Sequence, residues 1–215
     1  MIGIQFAQVG GNSLATSTVG TLPADADGFD EEINFANEIQ VWTGNGYRSY
    51  GWTGTSGTDV LEDDSFDNQW LNVDLEDDGS TLEPGEAVWA KASKATTVTV
   101  SGEVPENADS ISLPVGWSMI SYPLPKQVSL ATFAMLSADV DGFDEEINFA
   151  NEIQVWTGNG YRSYGWTGTS GTDVLEDGSF DNQWLNVDLE DDGSTLSRGQ
   201  GFWIKTAAST TLTFN

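Results

Sequence analysis

Carboxylates are the side chains best supplied to do chemistry in this sequence. It holds 34 Asp+Glu against 7 Lys+Arg, and 27 of the acids fall in two spans, residues 27–82 and 141–196, where Arg48 and Arg162 are the only bases. Asp25, Asp27, Asp30 and Glu31 crowd around Gly28, and Asp139, Asp141, Asp144 and Glu145 repeat the arrangement around Gly142. Closely spaced carboxylates in a glycine-containing loop suit Ca²⁺, a hard cation that gathers oxygen ligands. The spacing departs from the EF-hand loop, and a solvated acidic face is the plainer alternative. Residues 74–79 and 188–193 form a second acidic pair with the same two readings. Calcium is the cofactor to expect, at the first pair.

Aromatic side chains are the second chemical resource. Trp42, Tyr47 and Trp52 recur as Trp156, Tyr161 and Trp166. Rings of this kind beside Asp and Asn form a platform on which a sugar ring can stack, so a glycan partner is an expectation. The alternative is core and cross-strand packing. Enzymatic chemistry has less to draw on. The sequence contains no His and no Cys, which removes the usual base for a serine nucleophile and all thiol chemistry. Carboxylate pairs could serve a glycosidase, but among 34 acids such pairs arise by chance. Residues 44–47 are better read as a turn than as a phosphate loop. Lys91 and Lys205 each follow an aromatic on a strand; an isopeptide bond is conceivable there, and snorkelling to the surface is simpler. The expectation is a protein that is not an enzyme.

Charge narrows the partners. A net charge of −27 and a pI near 4.1 exclude nucleic-acid binding through a basic surface, because phosphate contacts need Lys and Arg. No stretch is apolar over the length that a membrane-spanning helix needs. Residues 1–6 lack the basic and apolar regions of a leader. The chain therefore stays in the cytosol or begins after processing, and its acidity, lack of Cys and Thr/Gly/Asn-rich texture favour an extracellular or cell-surface place.

The elements that must position these residues come as a repeat. Residues 141–196 reproduce residues 27–82 with one change, Asp64 to Gly178, at an offset of 114. The expected organisation is a β module over residues 1–101, a Pro-containing linker over 102–114, and a second β module over 115–215. Residues 38–43 and 47–52 alternate around Asn45 and Gly46, the signal of a hairpin. Further strands are expected at 2–9, 69–73, 87–91, 96–100, 117–122 and 210–215, with counterparts 114 residues on or back. Residues 129–136 and 141–147 read as short helices. The fold class is mainly β: two tandem, near-identical β-sandwich or barrel-like modules with minor short helices.

Three segments in series carry a resemblance: Gly116-Trp117-Ser118-Met119-Ile120-Ser121, then Trp156-Thr157-Gly158-Asn159-Gly160-Tyr161, then Gly199-Gln200-Gly201-Phe202-Trp203-Ile204-Lys205. The chain resembles the tandem modules of uncharacterised secreted proteins from planctomycete- and verrucomicrobia-like bacteria, over most of each copy. The first copy departs from the pattern at residues 1–6 and 85–89. The resemblance implies an extracellular or envelope location and supplies no catalytic residue.

Together these features predict a non-enzymatic structural subunit of an extracellular filament or surface assembly. Its partner is itself: a homopolymer joined head-to-tail through terminal strands, with Ile2, Ile4 and Phe6 at one end and Leu212 and Phe214 at the other. An exposed strand edge templates pairing with another chain. The alternative is a Ca-assisted carbohydrate-binding module of a secreted protein; a cytosolic acidic protein is a third.

Overall fold

A computed structural model describes residues 2–3, 37–54, 68–74, 76, 79–82, 85–92, 110–122, 126–136, 149–168, 180–197 and 199–215. The chain divides into two compact units, Ile2–Pro105 and Glu106–Asn215. In the first, Ile2–Gly3 (β1), Glu38–Trp42 (β2), Tyr47–Trp52 (β3), Trp70–Leu71 (β4) and Ala87–Lys91 (β5) form one antiparallel sheet, ordered β1-β5-β2-β3-β4.

Alternation explains the centre of that sheet. Successive side chains of a strand point to opposite faces. Ile39, 1% exposed, shares the inner face with Val41, while Gln40 and Trp42 share the outer one. Tyr50, Trp52, Trp70, Leu82 and Val88 join Ile39 in the core. The hairpin register runs from Glu38 opposite Gly51 to Trp42 opposite Tyr47. Its connection is therefore the four residues 43–46 and not a two-residue Asn-Gly turn. The Thr43 backbone N–H donates to Gly46 O at 2.9 Å, and the Thr43 hydroxyl donates to the same oxygen at 3.0 Å. The left-handed position is Gly44, with φ 93°, where a Cβ would be strained.

The second unit contains Ser110–Leu113 (β6), Gly116–Ser121 (β7), Val128–Ser129 (β8), Ala134–Leu136 (β9), Glu152–Trp156 (β10), Tyr161–Trp166 (β11), Trp184–Leu185 (β12), Thr195–Leu196 (β13), Gly201–Thr206 (β14) and Thr210–Phe214 (β15). Its sheets are ordered β12-β11-β10-β14-β7, β6-β15-β9 and β13-β8. One core joins them: Ile153, Tyr164, Trp166, Trp184, Phe202 and Ile204 from the five-stranded sheet pack with Leu113, Leu136, Leu212 and Phe214 from the three-stranded one. Phe133 sits among Tyr122, Trp184, Phe202 and Phe214, with ring centroids between 5.4 and 6.3 Å. The Trp184 indole N–H donates to Ala134 O at 3.0 Å, satisfying a buried donor. The fold is mainly β, as expected, and none of the described sheets closes into a barrel.

Three expectations need correction. Residues 110–113, placed in the linker, are strand β6; Leu113 is buried, and β6 pairs with β15 from Leu113 opposite Thr210 to Ser110 opposite Thr213. Polar residues between Pro105 and Pro114 make this stretch read as spacer in the sequence. Residues 129–136, read as a helix, form the end of β8, a short 3-10 turn at Leu130–Thr132, and β9. A short apolar run fits either period, and here pairing with β13 and β15 decides. The terminal strand β15, expected to offer an edge, is flanked by β6 and β9, and Leu212 and Phe214 are buried in the core. The helix expected over 141–147 and the strand over 96–100 lie outside the described residues.

Candidate functional site

In each unit the hairpin places one aromatic pair on the outer face. Trp156 and Tyr161 are opposite one another in the register, with ring centroids 5.2 Å apart at 65°. Trp42 and Tyr47 match them at 5.2 Å and 67°. Tyr47 is 45% exposed and Tyr161 44%. Trp52 and Trp166, expected on the same platform, fall on the opposite face. They are buried beside Trp70 and Trp184, at centroid distances of 5.2 and 5.1 Å. The reason is parity: Trp166 lies five positions after Tyr161 and so points to the other side of the strand. Of the six residues expected on a glycan platform, Trp42, Tyr47, Trp156 and Tyr161 share the outer face of their sheets, and Trp52 and Trp166 do not.

A groove opens beside this pair. β12 pairs with β11 only at Gly165 and Trp166; from Asn186 onward the chain turns away from the strand. The space left measures about 560 Å³ and is lined by Tyr161, Arg162, Ser163, Asn186, Val187, Asp188 and Asp192. Backbone direction follows from two hydrogen bonds. Trp166 N–H donates to Asn151 O before β10, and Thr167 N–H donates to Gln183 O before β12. Backbone groups alternate sides along a strand, so those of Ser163 point towards the groove.

The far wall is a loop held by its own side chains. Asn186 Oδ1 accepts from the backbone N–H of Asp188 at 2.9 Å and of Glu190 at 3.0 Å. With its oxygen occupied twice, Asn186 has its amide nitrogen left as a donor, and the residue lines the groove. Val187 is 50% exposed on this wall. Asp192 Oδ1 accepts from Ser194 N–H at 2.9 Å, and Asp192 Oδ2 lies 3.0 Å from Arg162 Nη1. The Tyr164 hydroxyl is 2.7 Å from Ser194 Oγ and 3.2 Å from Asp192 Oδ2. Partial burial pushes the Asp192 carboxyl up, but Ser194, Tyr164 and Arg162 together hold it below the ordinary 3.8. Burial raises the Tyr164 hydroxyl, so it stays protonated at neutral pH.

The described residues of the first unit repeat part of this wall. Asn72 Oδ1 accepts from Asp74 and Glu76 N–H at 2.9 and 3.0 Å. Arg48 Nη1 donates to Ser80 Oγ at 3.1 Å, the Tyr50 hydroxyl is 2.7 Å from that oxygen, and Val73 is 50% exposed. In the sequence the acids of this wall read as a Ca²⁺ loop or a solvated face, and nothing there shows that Asn72 and Asn186 tie the loop to its own backbone. The legible signal was Arg48 and Arg162, each the lone base in its acidic span.

The remaining candidate residues stand as follows. Asp25, Asp27, Asp30, Glu31, Asp139, Asp141, Asp144 and Glu145 lie outside the described residues, as do Ile4 and Phe6. Ile2 lies in β1, at the edge of its sheet. Among the described residues no helix is long and apolar enough to cross a membrane. Set against family models, curated proteins and solved structures, the chain matches none.

Proposed function

We propose that the chain is a non-enzymatic adhesive and structural subunit of an extracellular or cell-surface assembly, working by offering one recognition face twice. The observation that carries this reading is the repeated outward pair: Tyr47 with Val73 and Tyr161 with Val187, 45%, 50%, 44% and 50% exposed. Apolar surface kept outward beside polar groups marks a contact site, and two such sites on one chain favour a repetitive partner. Two linked sites raise apparent affinity for a repetitive surface far above either alone. A sequence without His or Cys supports binding over turnover.

The test is co-sedimentation of the full chain with insoluble polysaccharides, peptidoglycan and its own preformed assemblies. Retention on one of these is expected. Tyr47→Ala or Tyr161→Ala alone should lower apparent affinity about a hundredfold, as loss of avidity does. A chain retained by none of them and monodisperse on its own overturns the reading; a mere halving of retention overturns bivalency.

One observation favours self-assembly as a second version: β1 lies at a sheet edge. Removing residues 1–9 should then leave monomers, and polymers that survive the truncation speak against strand joining.

A further inference from the structure

The geometry points to a saccharide subsite in the groove of the second module, selective for neutral sugars, and the repeat of its sequence over residues 27–82 extends the inference to the first module. It rests on the reading of a twice-presented face and names what that face takes. A sugar ring has apolar C–H faces and a rim of hydroxyls. Tyr161, 44% exposed and braced by Trp156 at 5.2 Å, is a stacking surface. Arg162 points to the opposite face from Tyr161, and along the strand edge between them the groove is lined by groups that recognise hydroxyls in both senses. The Asn186 amide and the Arg162 guanidinium bring donors, Nη1 of the latter being engaged by Asp192 and Ser194, and Asp188 and Asp192 bring acceptors. A guanidinium beside a carboxylate at 3.0 Å offers a donor and an acceptor side by side, which fits two neighbouring hydroxyls. Val187 closes the apolar side. At about 560 Å³ the groove lies within the ordinary range for small-ligand sites.

Other ligand classes fit less well. A uronate or sulfated sugar meets Asp188 and Asp192 in the groove and a net charge of −27 on the chain. A cationic ligand meets the Arg162 guanidinium. An added peptide strand needs a longer edge: β11 runs only from Tyr161 to Trp166, and β12 already takes Gly165 and Trp166. The polar side chains on the wall are preorganised, since Asn186 and Asp192 are each tied to backbone N–H groups of their own loop. Ligand ordering therefore costs little protein entropy.

The experiment is calorimetry and Trp fluorescence on the full chain with neutral oligosaccharides of glucose, mannose, galactose, xylose and N-acetylglucosamine. Oligouronates and an extended hexapeptide are the comparison arms. At least one neutral oligosaccharide should bind at two sites per chain, at least tenfold tighter than any oligouronate. Tyr47→Ala and Tyr161→Ala should each remove one site, and the double variant both, with melting unchanged. Val73→Arg and Val187→Arg, which place a bulky cation where the apolar wall stands and leave the tyrosines in the chain, should do the same. The inference is overturned by no neutral sugar binding at millimolar concentration, by equal or tighter oligouronate binding, by the peptide binding instead, or by sugar binding that survives both double variants. If free sugars fail while sedimentation on a surface or on preformed assemblies persists, the subsite is wrong and the twice-presented face stands.

Discussion

At the scale of single residues, side-chain parity separates ornament from core. Trp156 and Trp166 belong to one hairpin and to similar local sequence, yet one braces an exposed tyrosine and the other is 1% exposed. Only the register, Trp156 opposite Tyr161, tells them apart. The aromatic types are legible in the sequence and the register is not, which is why sequence alone groups Trp52 and Trp166 with residues of the opposite face. The hydroxyl network behind the groove makes a pH prediction. Burial raises Tyr164 and Tyr122 above the ordinary 10.0. Their neutral forms favour the folded state, so that stability is full below pH 10 and is lost as pH rises through the raised values. Asp192 is held low, so its contribution is present above its ordinary 3.8 and is lost as pH falls through the folded value. Melting temperature should therefore fall at both extremes, and Tyr164→Phe should flatten the alkaline decline. A wild-type curve already falling between pH 7 and 9 contradicts this assignment.

At the scale of elements, local signals were legible and pairing partners were not. The β2–β3 and β10–β11 hairpins, β5 and β15 all follow from alternation and turn residues. β6 did not, because its Ser-Ile-Ser-Leu alternation is only four residues long and lies between Pro105 and Pro114; its strand identity comes from β15 alongside. The loop opposite β11 was invisible for the same reason: its shape depends on Asn186 and Asp192 bonding to their own backbone. β15 makes the sharpest element-level prediction. It is the middle strand of its sheet and places Leu212, 0% exposed, in the core. Leu212→Ala should cost about 2–5 kcal/mol, measured by denaturant unfolding. A change under about 0.5 kcal/mol, the surface value, would mean that the strand is peripheral and able to serve a neighbouring chain.

At the scale of the whole molecule, charge dominates. A net charge of −27 repels other copies, and salt screens that repulsion over about 10 Å at 0.1 M. Any self-association should strengthen with added salt, and more steeply with Ca²⁺ if the acids around Gly28 and Gly142 gather it. Light scattering across a NaCl series, then a Ca²⁺ series with chelator reversal, separates the two. Melting and association unchanged by chelator remove calcium from the account.

Two hairpins spelled alike also set a problem for the chain while it is still folding. β2 and β10 share the sequence EIQVW, and β3 and β11 share YRSYGW, so β2 can zip with β11 as readily as with β3. What favours the right partner is proximity: closing over about a hundred residues instead of four costs roughly 3 kcal/mol more in loop entropy. That margin protects a dilute single chain, and it vanishes between crowded chains. Refolding at rising protein concentration should therefore yield hairpin-swapped dimers, resolved by gel filtration, and diverging the second hairpin's sequence should suppress them.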